Sequence, residues 1–354
     1  MNSTSTLNVT NNSCKVFLMP EYIPQFFLGN LYVFFVVAAV IESLSCPLTV
    51  LFNALVLVAV KTKRRLQTHL NILLASLALT DLMVGLVVQP LHITTTVFHL
   101  QGKDPDEICK TMSAFLISFL SFSAASLFHL ALISGERYLA IKHTFIHGTV
   151  VTKRRLMIVT ILIWSVIPLR VVLANVQVVS LVFQGAIVIL MVLLQVLVYR
   201  EARQHEKKIL SNQVSLEARA KFEKEKKALK LTTTIILAIG LCYVPTFILV
   251  FISGGLMGSV GSSTLGSSFY HVSVLPMIFN SLLNPVIYTV RKKQFRIAFV
   301  ELILRKDFQG AKQMERRLSA SPRIVEPETD VTPQSRAWQE VYPEGDTPIH
   351  DRVL

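Results

Sequence analysis

Charge is scarce in this sequence. Only 16% of its 354 residues are Asp, Glu, Lys or Arg, and 52% are hydrophobic, whereas soluble domains carry roughly a quarter charged residues. That shortage excludes a water-facing surface over most of the chain and points to a membrane protein. Cysteine is also sparse, with Cys14, Cys46, Cys109 and Cys242 as the whole set, which excludes a disulfide-dense scaffold. No internal repeat is visible, as an inverted-repeat transporter would show. No paired carboxylates, zinc-ligand cluster or nucleophile–His pair falls at one depth, so no enzymatic activity is expected. A cleavable leader is not expected either. The first apolar run begins near Phe26 and is too long for one, so it should act as a signal anchor.

What is abundant is the long apolar run. Seven can be marked, at 32–60, 68–97, 108–135, 155–175, 177–199, 231–254 and 268–290, each long enough to cross a hydrocarbon core of about 30 Å. In lipid each must be helical to satisfy its own backbone, so an all-α bundle of seven transmembrane helices is expected. The net charge of +13 is unevenly placed. Lys61, Lys63, Arg64 and Arg65 follow run 1, and Lys142, Lys153, Arg154 and Arg155 follow run 3. A segment from Arg200 to Lys230 follows run 5, and Arg291, Lys292, Lys293 and Arg296 follow run 7. Alternate loops are nearly free of Lys and Arg, with Lys103 the main exception. The positive-inside rule then places the N-terminus outside and the C-terminus in the cytoplasm. Because the basic residues cluster beside spans, they argue for topology and against nucleic-acid binding.

The parts divide accordingly. Residues 1–30 form an extracellular N-terminus whose Asn2, Asn8 and Asn11 each begin a glycosylation sequon. Residues 31–291 form the seven-helix domain, 292–305 an amphipathic helix with Phe295, Phe299 and Leu302 on one face for the membrane, and 306–354 a disordered tail. Cys46 and Cys242 lie inside spans as buried thiols. Cys14 and Cys109 both face the oxidising side, where a bridge between them and two separate thiols both fit. The tail carries Arg316-Arg317-Leu318-Ser319, a basic-directed kinase site in form, with Ser321 beside it; a plain solubilising tail fits equally.

Polar residues inside spans are costly and mark function. Asn53 sits in run 1, Asp81 in run 2, Glu136-Arg137-Tyr138 at the end of run 3 and Trp164 in run 4. Cys242-Tyr243-Val244-Pro245 lies in run 6, with the proline expected to kink the helix, and Asn284-Pro285-Val286-Ile287-Tyr288 ends run 7. One set per span, in this order, resembles the rhodopsin-type (class A) G-protein-coupled receptors over roughly residues 30–305.

The resemblance implies a ligand-activated receptor in the plasma membrane that acts on a heterotrimeric G protein. Arrestin and receptor kinases would use the tail, and surrounding lipid would be a further partner. Arg137 matches the switch arginine, held by Glu136 and by Glu225, which stands 20 residues before Pro245. Tyr199 and Tyr288 match the tyrosines that stabilise the open state, Tyr243 takes the toggle position, and Phe145 matches a residue that inserts into the Gα subunit. Asp81, Ser126, Asn280, Ser281 and Asn284 match the family's sodium pocket, and their hard oxygens suit Na⁺. No other cofactor is expected.

The departures bear on the ligand. Met112 stands where span 3 usually has its cysteine, Met191 replaces the usual proline of span 5, and the loop between spans 4 and 5 is minimal and lacks cysteine. These features are similar to the melanocortin receptors and their lipid-receptor relatives. Yet Leu91, Met112 and Leu116 replace the melanocortin receptors' acids. Phe119 replaces the amine receptors' carboxylate, and Ile278 replaces the retinal lysine. Leu127 and Ile239 replace the usual transmission residues. The candidate pocket is Glu42, Gln89, His92, Phe119, Gln184, Tyr243, His271 and Met277. Glu42 is expected to pair with His92 or His271, or to meet a cationic ligand group. The pocket suits a lipid, a small apolar ligand or a short peptide. The alternative from another class is a seven-helix transporter or channel.

Overall fold

The computed structural model describes residues 25–143, 146–172, 177–211, 227, 229–238, 240–244 and 264–319, and every regular element among them is helical. The helices are α1 (Gln25–Thr62), α2 (His69–Leu100), α3 (Pro105–Lys142), α4 (Lys153–Val172), α5 (Gln177–Ser211), α6 (Leu229–Val244) and α7 (Thr264–Arg291). They fall on the seven apolar runs. Then come α8 (Lys293–Ile303) and α9 (Phe308–Ser319). Among the described residues, the stretches Tyr32–Thr62, His69–Leu100, Pro105–Lys142 and Gly185–Lys207 are long and apolar enough to cross a membrane. The first helix already includes Gln25, inside the segment assigned above to the N-terminus, and α5 runs three turns past Tyr199 into the charged segment.

Apolar side chains lie on both sides of the bundle wall. Leu44, Leu51, Leu86, Ile161, Leu193, Leu241 and Val290 are exposed, which is tolerable only where the solvent is hydrocarbon. Inward, α3 runs through the centre against α2, α4 and α5. Its Phe115, Leu127, Leu130 and Ile133 pack with Leu73, Leu77, Met191, Ile235 and Tyr288 into one core.

Helix α2 is not regular. Pro90 has no N–H to donate, and the helix widens into a π-turn at Val84–Val88. There the carbonyl of Gly85 accepts a hydrogen bond from Cys46 Sγ at 3.2 Å. A Cβ on Gly85 would sit 3.0 Å from Val50 Cγ2 and 3.2 Å from Thr49 Cγ2, so glycine permits the close approach of α1 and α2. Gly85→Val should therefore cost about 1–3 kcal/mol by overpacking. A thermal melt in detergent reads this directly, and an unchanged midpoint would show that the two helices can part freely.

Two expectations are corrected. The segment from 306 is not disordered throughout, because α9 packs on α8 with Ala311 and Glu315 buried. The apolar face of α8 does not lie outward on a membrane either. Phe295 and Phe299 are buried, the first with its ring centroid 6.1 Å from that of Tyr288. Glu301 of α8 pairs with Lys63 and Arg65 after α1. Burial opposes its charge, but those two cations outweigh the burial and hold the carboxyl below the usual glutamate range.

Candidate functional site

The end of α3 places three consecutive polar residues where the bundle narrows. Neighbours on a helix do not face each other, so Arg137 must fold back to reach Glu136. It does so with both arms: Nε and Nη2 each donate to a carboxylate oxygen at 2.5 Å. Both residues are buried, and His147, from the turn before α4, sits with Nε2 3.1 Å from Glu136 Oε1. Beside them is Lys292, just past the last residue of α7, whose Nζ donates to Asn71 Oδ1 at 2.6 Å. Burial and the neighbouring Arg137 guanidinium push its ammonium down to about 7, with Glu136 acting the other way. Arginine, lysine and carboxylate thus lie close together at this end of the bundle.

Tyr138 OH accepts from Lys142 Nζ at 2.6 Å. Tyr199 stands half exposed, its hydroxyl accepting from Arg203 Nε at 2.9 Å, whereas Tyr288 is wholly buried. A cleft of about 580 Å³ opens between α5, α6 and α7, lined by Tyr199, Arg203, Lys230, Thr233 and Arg291 among others.

Deeper, the polar residues of α1, α2, α3 and α7 converge. Asn53 Nδ2 donates to the carbonyls of Thr49 at 2.9 Å and Ser281 at 3.1 Å, tying α1 to α7. Asn284 Nδ2 donates to Asp81 Oδ2 at 2.8 Å, and the Ser281 side chain also hydrogen-bonds that carboxylate. Ser126 and Asn280 are buried as well. Among the described residues, five buried oxygens of this polar set have no protein hydrogen-bond partner: Asn53 Oδ1, Asp81 Oδ1, Ser126 Oγ, Asn280 Oδ1 and Asn284 Oδ1. Each such atom costs about 1–3 kcal/mol if left bare. A set of oxygen donors that includes one carboxylate suits a small hard cation in its chemistry. Above it, Tyr243 is buried and bonded to Ser123, so α6 rests on α3, and Trp164 meets Phe122 edge-on. Pro285 follows the Asp81 partner directly and is buried.

Toward the other end, Glu42 Oε2 lies 2.7 Å from His92 Nδ1, both buried. Gln89 Nε2 donates to Ser45 Oγ at 3.1 Å. The His92 ring rests on Phe115, which stacks on Phe119 with centroids 5.6 Å apart. The acid of α1 is thus answered from α2. Removing one partner of a buried pair costs about 3–5 kcal/mol, while removing both costs much less. Glu42→Leu should accordingly lower the melting midpoint sharply, and adding His92→Leu should recover a large part of the loss. Strictly additive shifts in the double-mutant cycle would show that the two do not interact.

The reading of the sequence missed His147, Asn71 and Lys292. Each is an unremarkable loop or helix-end residue until the fold supplies its partner. Glu225, Pro245, Phe145, Asn2, Asn8, Asn11 and Ser321 lie outside the described residues, and Gln184, His271 and Met277 are described only as positions on α5 and α7. Cys109 is disulfide-bonded, whereas Cys46 and Cys242 keep reduced thiols; Cys14, the remaining cysteine, lies outside the described residues.

Known proteins give an independent comparison. The family described as 7 transmembrane receptor (rhodopsin family) matches residues 52–176 and 169–288. A 5-hydroxytryptamine receptor 2B of Dichotomyctere fluviatilis is 35% identical over 114 residues, covering 32% of this chain and 24% of that relative. A 5-hydroxytryptamine receptor 2B of Rattus norvegicus is 43% identical over 90 residues, covering 25% of this chain and 18% of that relative. The matched stretch therefore spans a quarter or less of the length of these curated relatives.

Proposed function

Since this chain belongs to the rhodopsin family of seven-transmembrane receptors, we propose that it converts the binding of an extracellular ligand into nucleotide exchange on a heterotrimeric G protein. The observation that carries this is Arg137, a buried guanidinium clamped by Glu136 at the end of the most central helix. A clamp that holds one state and must break in the other is the bistable element a switch requires. The exposed Tyr199 and the cleft between α5, α6 and α7 provide the surface that would open for the partner. Arrestin and receptor kinases are proposed as further partners through the tail. The basic loops belong on the cytoplasmic side of the plasma membrane, with the N-terminus outside.

Sodium is the proposed allosteric ion at Asp81. The support is the partnerless oxygen of Asp81 together with those of Asn53, Ser126, Asn280 and Asn284 in the same polar set. Bound there, the ion would hold α2, α3 and α7 together and favour the closed state.

For the ligand, the names of the two relatives point to 5-hydroxytryptamine. A cationic amine needs a desolvated carboxylate to pair with. The position that supplies it in amine receptors is Phe119, buried against Phe115, and Glu42 is already engaged by His92. A lipid, a small apolar ligand or a short peptide fits this pocket better. Agonist libraries split into lipid, amine and peptide sets, read by G-protein nucleotide exchange, test it. Activation by a lipid or a peptide supports the assignment. An amine agonist would overturn the ligand class while leaving the receptor function standing.

A further inference from the structure

The helix α9 turns back on α8 through a short link in which Arg305 takes φ 49°. Its inner face carries Ala311 and Glu315, both buried, spaced one helical turn apart. A carboxylate on the buried face of a helix is costly unless paired, and this one is paired twice. Glu315 Oε1 accepts from Arg296 Nε at 3.1 Å and Nη2 at 2.8 Å, and Oε2 lies 3.0 Å from Lys293 Nζ. The same Arg296 donates through Nη1 to the carbonyls of Val290 at 2.7 Å and Thr289 at 3.3 Å. Those carbonyls close α7 directly after Tyr288. One guanidinium therefore joins α9 to the end of α7.

The next residues of α9 are Arg316-Arg317-Leu318-Ser319, helical as far as the described residues run. Two arginines three and two positions before a serine suit an acidic kinase cleft. Such a cleft reads an extended chain, and here the motif is wound into a helix anchored by Glu315.

We propose that Ser319 is a phosphorylation site for a basophilic protein kinase, gated by the docking of α9 on α8 through Glu315, and that the phosphate releases α9. In the transfer, Ser319 Oγ bonds the γ-phosphorus of ATP, its proton passes to the kinase, and ADP leaves. The resulting phosphate adds up to two negative charges to the docked helix. It also stands four residues from Glu315, where like charges repel. Arg296 cannot follow the phosphate without leaving the carbonyls of Thr289 and Val290. The undocked state is the one that accepts phosphate and the one that phosphate favours.

The full chain in detergent, ATP and the cyclic-AMP-dependent kinase suffice for the test, which needs no G protein and so stands apart from the receptor function. Mass spectrometry should place the phosphate on Ser319. Glu315→Gln should raise the initial rate about fivefold or more, because the docked state loses its buried anchor. Lys293→Gln, which spares the Arg296 contacts, should act in the same direction more weakly. Hydrogen exchange over 308–319 should speed up after phosphorylation. Equal rates in the three proteins, phosphate placed elsewhere, or exchange protection that persists or grows on phosphorylated α9 would overturn the proposal.

Discussion

Arg137→Ala should lower agonist-driven nucleotide exchange at least about tenfold, and Glu136→Gln should raise the ligand-free rate. Arg137 is only 6% exposed, and both of its donating arms end on the two oxygens of one carboxylate. Removing its charge leaves Glu136 buried beside His147, and removes the group that the proposed switch needs. Neutralising Glu136 does the opposite. The guanidinium keeps its place but loses a charge-assisted, two-pronged bond. A change of about 1.4 kcal/mol between closed and open states is already tenfold in their ratio. Concentration–response curves for exchange in membranes, matched for surface expression, separate the two outcomes. An Arg137→Ala chain that signals like the parent removes the switch from this account.

The second large effect is expected at Asp81. Raising Na⁺ at constant ionic strength should depress ligand-free exchange of the parent chain, and Asp81→Ala should abolish that dependence. A coupling of about 1–3 kcal/mol, roughly 5- to 150-fold in agonist affinity, is the ordinary range for two linked sites. The chemical case rests on hard oxygens. Asn53, Asp81, Ser126, Asn280 and Asn284 each leave one buried oxygen without a protein partner. A cation that satisfies several of them at once offsets the cost of burying them. Potassium, larger and held less tightly by the same oxygens, serves as the control. Sodium dependence that survives Asp81→Ala would place the ion elsewhere or nowhere.

Much of this bundle was legible in the sequence because lipid restricts the choices. An apolar run of about 20 residues in hydrocarbon has only the helix open to it, and α1 to α7 fall on the marked runs. Asp81 and Asn284 each stood out as a polar residue stranded among apolar ones, the resemblance to the receptor family grouped them, and they are hydrogen-bonded at 2.8 Å. Pairings outside the membrane were not legible. Lys292 reaches Asn71, and Glu301 reaches Lys63 and Arg65, across more than 200 positions of sequence. Nothing in the local pattern of a charged loop names its distant partner. Helix α9 was missed for a different reason. Its buried face holds an acid, Glu315, so the alternation of apolar and polar residues that announces a packed helix is broken where the packing is closest. The inward face of α8 misled in a related way. A stripe of Phe295 and Phe299 looks the same whether it meets lipid or the ring of Tyr288.

The most direct test of the receptor function uses purified components. Purified and reconstituted in lipid nanodiscs with each class of heterotrimeric G protein, it should accelerate uptake of a non-hydrolysable GTP analogue by at least one class. It should do so without ligand or with an agonist from the screen, and Arg137→Ala should lose the acceleration. No acceleration of any class in either condition, together with ion or solute flux across liposomes carrying the same protein, would contradict the account and leave a seven-helix channel or transporter in its place.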